Sequence, residues 1–208
     1  MPRITGIRGR RGRAKVYVDG ELWAEIDATV AAERGLYEGA ALSDSELEEA
    51  RVAGERALAM GRALNLLGYR ARSEGEIRIR LRRREFGEAT IQAVVERLQE
   101  LGYVDDEEFA RNVARQRARK YGPRRVTADL RKSGVDSETA QKAVDDEFAE
   151  HSELDDALSA ASRRYNTGGS DVEARRVYGF LTRRGYSADV CAEVARRYRE
   201  AGSPEAGE

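Results

Sequence analysis

Cysteine and histidine each occur once in this chain, as Cys191 and His151. A lone cysteine excludes a disulfide framework. A lone histidine with no cysteine near it leaves no residue set with metal-ligand spacing. There is no glycine-rich phosphate loop and no nucleophile–base pair, so an enzyme is the least supported reading and no cofactor is expected. Long apolar runs are missing as well. Nothing approaches membrane-spanning length, and no apolar stretch follows the basic N-terminus as a secretory signal would require. The expected setting is the cytosol, without a membrane partner. An excess of one charge is also lacking: the formal net charge is −1, which removes any global charge argument for nucleic acid. Acid pairs such as Asp105-Asp106 and Asp145-Asp146 read as helix-start or solvated groups rather than chemistry.

What the chain does have is periodicity and segregated charge. Charged residues make up 36% and hydrophobic residues 40%, a marginal ratio for a core, yet the apolar positions recur regularly and disorder is a poor reading. Residues 1–18 carry 6 basic groups and no acid, whereas residues 19–60 carry 3 basic and 11 acidic groups. Residues 61–132 carry 18 basic and 11 acidic groups, residues 133–162 carry 1 and 9, and residues 163–200 carry 9 and 5. Any one block fits a solvated helix face, but alternation on this scale makes local surfaces of one sign that can steer a charged partner.

A pattern recurs three times. Leu81, Leu130 and Leu181 are separated by 49 and 51 residues. Each is preceded at four residues by a β-branched side chain (Ile77, Val126, Val177) and followed at five by a hydrophobe (Phe86, Val135, Tyr186). Repeats of this length are stacked supersecondary units. The apolar spacing inside each is helical, as in Ile91, Val94, Val95, Leu98 and Leu101. The expected fold is mainly α: an elongated tandem array of three three-helix repeats behind a small N-terminal β-hairpin element.

Local signals place the parts. Asp19-Gly20 between Lys15–Val18 and Glu21–Ile26 is a two-residue hairpin signal, and residues 4–7 offer a third strand. Ser43 and Glu46 have capping-box spacing, as do Ser73 and Glu76. Gly54 and Gly61 weaken the case for one continuous helix between Ser43 and Tyr69. Gly102 stops a helix, Pro123 fits a first helical turn, and Ser137 opens another helix. Residues 166–170 read as a flexible loop. The expected organisation is a β element over 1–42, a linking helix plus repeat one over 43–104, repeat two over 105–150, repeat three over 151–202, and a disordered tail over 203–208. Cys191 occupies the place of Ile91 and Ala140, so burial is expected rather than reactivity.

Arg70-Ala71-Arg72-Ser73-Glu74-Gly75-Glu76-Ile77, then Leu81, then Leu101-Gly102-Tyr103-Val104-Asp105-Asp106 and Phe109-Ala110 resemble the signature of the RecX regulatory proteins. Lys120-Tyr121-Gly122 and the basic helix start after it are similar to the family's second repeat. The resemblance runs from about residue 4 to residue 200, with Ile77 in place of the more usual Leu. It implies a cytoplasmic protein without catalytic residues that binds the RecA recombinase or the RecA–single-stranded DNA filament. Such proteins lie in the filament groove or cap its growing end, and they lower strand exchange, ATP hydrolysis and co-protease function in DNA recombination, repair and the SOS response. Weak direct contact with DNA is compatible with this, and a monomer is expected.

The densest basic cluster is Arg78, Arg80, Arg82, Arg83 and Arg84. It is either a solvated helix face or a surface for phosphate or an acidic patch. The candidate filament-binding residues are Arg70, Arg72, Arg78, Arg82, Arg83, Arg115, Arg119, Lys120, Arg124 and Arg125. Arg70 and Arg72 flank a turn and are expected to be exposed. Tyr69, Tyr103 and Tyr121 are expected to pack in the core or in turns rather than to stack on bases. The competing reading is a helix-turn-helix-like DNA-binding protein acting without RecA.

Overall fold

The structure is a computed structural model and describes residues 1–166 and 170–201. Three strands, β1 (Ile4–Arg10), β2 (Arg13–Val18) and β3 (Glu21–Asp27), form an antiparallel sheet in the order β1-β2-β3. Both loops are two-residue turns in the left-handed region: Arg11 and Gly12 have φ of 51° and 77°, Asp19 and Gly20 of 48° and 92°. Two positive φ values in succession match the right-handed twist of the flanking strands. The Asp19-Gly20 turn was legible in the sequence. The Arg11-Gly12 turn, which makes the third strand, lacked a consensus dipeptide.

Alternation along the strands sends Ile4, Ala14, Val16 and Ile26 inward, where all are buried. A short helix, α1 (Ala28–Glu33), follows β3 directly, with the Asp27 carboxylate accepting from the amides of Thr29 and Val30. No sequence signal marks this helix, whose six residues are too few to show a period. The chain then returns to the sheet, where the Ile4 amide donates to the Ala40 carbonyl at 2.9 Å.

The next helix, α2 (Asp44–Leu67), is one unbroken element of 24 residues. Its start is a capping box: the Ser43 amide donates to Glu46 Oε2 at 2.7 Å and the Glu46 amide to Ser43 Oγ at 3.3 Å. The interruption suggested by Gly54 and Gly61 does not occur. Gly54 is a contact point: a Cβ there would land on Ile26 Cβ and come within 2.8 Å of Ile26 Cγ2. The absence of a side chain lets the helix press on β3. The first half of α2 buries Leu47 and Ala50 against the sheet, and its second half lends Ala59 and Ala63 to the next core.

That core belongs to the first three-helix unit. It is completed by α3 (Glu74–Arg82), α4 (Glu88–Glu100) and Val104, with Ile77, Leu81, Ile91, Val94, Val95 and Leu98 fully buried. Ser73 caps α3 through its hydroxyl, and Gly102, at φ 70°, turns the chain after α4. Leu101 is 48% exposed, against expectation. It caps the helix C-terminus, and the turn there swings it off the apolar stripe.

The second unit is α5 (Asp106–Ala118), α6 (Pro123–Lys132) and α7 (Ser137–Phe148), around Phe109, Ala110, Val126, Leu130 and Val144. Pro123 starts α6, and α7 is capped one residue earlier than Ser137, by Asp136. The third is α8 (Glu153–Ser162), α9 (Asp171–Arg184) and α10 (Ala188–Glu200). Ala157 and Ala161 make the buried stripe of α8, while Leu154 and Leu158 stay half-buried at its margin. Leu81, Leu130 and Leu181 are each fully buried in their own bundle. Cys191 is also fully buried, and burial pushes its thiol above the usual value. The expected loop at 166–170 lies partly, and the expected tail wholly, outside the described residues. The chain divides into two compact units, Met1–Asp105 and Asp106–Glu208. Among the described residues no helix is long and apolar enough to cross a membrane.

Candidate functional site

Five candidate cations lie in the first compact unit. Arg72 corrects the expectation of exposure. It is only 8% exposed. Its Nε donates to the Leu66 carbonyl at 3.2 Å, and its Nη1 lies 3.6 Å from Glu76 Oε2. Leu66 O belongs to the last turn of α2, where carbonyls have no intrahelical partner, so Arg72 ties the α2–α3 turn together from inside. Burial pulls its guanidinium pKa down, with Arg70 and Arg80 adding to the effect.

Its neighbour Arg70 is exposed but held, donating to Glu76 Oε1 at 2.7 Å and to the Ala71 carbonyl at 2.8 Å. Arg78 donates to Glu74 Oε1 and Gln92 Oε1, both at 2.6 Å. Arg82 grips Glu88 with two bonds, of 2.6 and 2.9 Å, which lower the Glu88 pKa and raise that of Arg82. Arg78 and Arg82 are thus spent on the first turn of α3 itself and on α4. Arg83 is the exception among these five: it is exposed and has no carboxylate partner among the described residues. The same holds for Arg80 and Arg84, which the candidate set omitted. The i,i+4 spacing of Glu74 and Arg78 is a local signal for one of these pairs, whereas the Glu88 that holds Arg82 sits on the neighbouring helix.

The other five candidates lie in the second unit. Arg115, Arg119 and Lys120, at the end of α5 and just after it, are exposed and without carboxylate partners among the described residues. They line a cleft of about 470 Å³ with Arg163 and Arg184 on the third three-helix unit and with Glu147, Asp156 and His151. His151 Nδ1 lies 3.0 Å from Asp156 Oδ2. The cleft exists because two turns dock backbone to backbone. The Gly122 amide donates to the Arg184 carbonyl at 2.8 Å, and the Arg124 amide to the Gly185 carbonyl at 3.1 Å. A Cβ on Gly122 would stand 2.7 Å from Gly185 O, so neither turn accepts a side chain there. Gly185 also needs its positive φ of 86° to end α9.

The remaining two differ. Arg124 is exposed, while Arg125 bonds Asp129 at 3.2 Å and shares the Tyr121 ring with Arg117. Tyr121 therefore packs, as expected. Tyr69 and Tyr103 do not: they are 87% and 58% exposed, each in the turn after a helix. Clustered guanidiniums with one lysine can take phosphate or carboxylate oxygens in forked hydrogen bonds.

Comparison with known proteins adds the following. A family model described as RecX, first three-helix domain, matches residues 59–98, and one described as RecX, second three-helix domain, matches residues 105–144. The regulatory protein RecX of Mycolicibacterium vanbaalenii is 35% identical over 160 residues, 72% of this chain and 86% of that one. A regulatory protein RecX of Listeria monocytogenes is 26% identical over 201 residues, 93% of this chain and 74% of that one. A crystal structure of regulatory protein RecX superposes with a TM-score of 0.62 at 23% identity, covering 94% of this chain and 100% of that one. At that identity the likeness speaks for the fold alone.

Proposed function

The chain belongs to the RecX family, and on that premise we propose that it is a regulatory protein that binds RecA, or the RecA–single-stranded DNA filament, and lowers its ATPase, recombinase and co-protease activities. It acts in the cytoplasm as a monomer, by binding rather than by catalysis. The observation that carries this reading is the division of the cations. Most guanidiniums on α3 are spent on intramolecular pairs. Arg83 in the first compact unit, and Arg115, Arg119 and Lys120 in the second, stand exposed with no carboxylate paired to them among the described residues. Unpaired cations at the ends of helices cost little in solvent but gain from an acidic protein surface or a phosphate row.

The contact residues are Arg80, Arg83 and Arg84 in one unit and Arg115, Arg119 and Lys120 in the other, with Arg70 and Arg124 at their margins. Arg72 acts only through the α2–α3 turn. The test is RecA ATP hydrolysis on single-stranded DNA. Wild-type protein inhibits. A variant with Arg83→Glu, Arg84→Glu, Arg119→Glu and Lys120→Glu melts like wild type and loses inhibition. A wild-type protein that leaves hydrolysis unchanged at equal ratio to RecA refutes the function, and a variant that inhibits fully refutes the surface. Inhibition far below equal ratio supports capping of filament ends, whereas a need for near-equal ratio supports binding along the groove.

A further inference from the structure

The outer face of the N-terminal sheet has a charge arrangement that the regulatory reading does not use. Cross-strand register places Arg8 opposite Lys15 and Arg10 opposite Arg13. Like charges directly opposed across strands destabilise a sheet. Arg11, at φ 51° in the connecting turn, adds a fifth cation where glycine or asparagine would be easier. All five are exposed. Arg13 alone has a carboxylate partner among the described residues, Glu25 at 3.0 Å.

Charged residues often guard edge strands against aggregation. That explains Arg8 and Arg10 on β1; Arg13 and Lys15, on the central strand, stand opposite Asp27 and Glu25 of β3, of which Asp27 is already engaged in capping α1. The face also carries a ring: Tyr17 is half-buried, with the Arg8 guanidinium 5.5 Å above it. These side chains surround an open depression of about 820 Å³. Arg13 and Glu25 also border a second depression, of about 710 Å³, of mixed charge, whose wall includes Arg62, Arg83 and Arg84 together with Glu55 and Glu85 in the same compact unit.

We infer that this face of the sheet is a binding site for single-stranded nucleic acid, independent of RecA. Cations two residues apart on a strand are about 6.7 Å apart, a stride comparable to that of phosphates along an extended single strand. The ring with its overlying guanidinium offers a plane on which a base stacks, and the pairing of a basic groove with such a plane is how single strands are held without sequence preference. An acidic peptide uses the cations but gives the ring no role. A duplex conceals its base faces. The second depression gives the strand an exit towards Arg83 and Arg84.

The experiment measures binding of a fluorescent oligo-dT to the full chain by anisotropy across a salt series, without RecA. Replacing Arg8→Gln, Arg10→Gln and Lys15→Gln removes three phosphate contacts. Affinity falls tenfold or more, and the slope of log K against log salt flattens by about 2, since each contact on a single strand contributes about 0.7. The melting temperature does not fall, because the inward residues are untouched and opposed like charges are relieved. Arg11→Asn, which suits the turn's positive φ, flattens the slope by about 0.7 and provides the test should the triple variant fold poorly. Unchanged affinity and slope in the folded variants overturn the proposal. So does a poly-glutamate peptide that displaces the oligonucleotide as well as unlabelled oligo-dT of equal charge. RecA inhibition is scored separately, so loss of oligonucleotide binding with inhibition intact supports this site without touching the regulatory reading.

Discussion

Arg72 offers the sharpest test of the packing argument. Truncation to alanine removes the charge-assisted bond to the Leu66 carbonyl, leaves that carbonyl buried without its donor, and takes one of two guanidiniums from Glu76. A hydrogen bond to a charged group contributes about 1.5–3 kcal/mol, and breaking a buried pair costs about 3–5 kcal/mol. Arg70 still holds Glu76 at 2.7 Å, which places the expected loss at the lower end, about 3 kcal/mol. For a chain of this size that is roughly 6–12 °C in Tm. Arg70→Ala serves as the control, because an exposed pair contributes about 1 kcal/mol at most. Urea unfolding followed by circular dichroism measures both. Equal midpoints for Arg72→Ala and Arg70→Ala would refute the buried-tie reasoning. Arg72→Glu is worse still, since it sets a second carboxylate beside Glu76. Charge reversal at this position therefore reports on folding and is no clean probe of partner binding.

Other perturbations test the remaining links. Leu81→Ala, Leu130→Ala and Leu181→Ala each cost about 2–5 kcal/mol in thermal or urea melts, since all three are fully buried. A melt unchanged by any one of them means that its bundle lacks the stated core. Gly54→Ala should gain about 1 kcal/mol from helix propensity, yet the clash with Ile26 reverses the sign, and a raised Tm would contradict the close approach of α2 to β3. Glu193 is held down to about 2 by hydrogen bonds from Arg196 and Arg197, against an ordinary value of 4.5. A depressed carboxyl favours the folded state only while ionised, so its contribution is complete above 4.5 and fades as pH falls towards about 2. The urea midpoint difference between wild type and Glu193→Gln should shrink over that window, and a constant difference would contradict the pairing.

Much of the helical fold is legible because its signals are local. Ser43 and Glu46 meet three residues apart, Asp19-Gly20 and Gly102 need only their own backbone angles, and a stripe such as Ile91, Val94, Val95 and Leu98 is a property of one helix. Helix α1 was missed because six residues are too few to show a period. The candidate site was less legible. Arg78 and Arg82 look like a free basic face in the sequence; Arg78 is held by Glu74 one turn earlier and by Gln92, and Arg82 by Glu88, the last two from the following helix. Arg80, Arg83 and Arg84 are the ones with no carboxylate partner among the described residues.

Sequence alone determined the number of three-helix units, the leucine at the heart of each and the family resemblance, since all three are written in spacing along the chain. Tertiary structure alone decided that Arg72 faces inward, that Gly54 and Gly122 are points of contact, and which arginines have no carboxylate partner among the described residues. The physical reason is that a side chain's burial and its ion partner depend on what the fold brings beside it, and those neighbours lie up to 64 residues away, as with Arg184 and the Lys120 carbonyl.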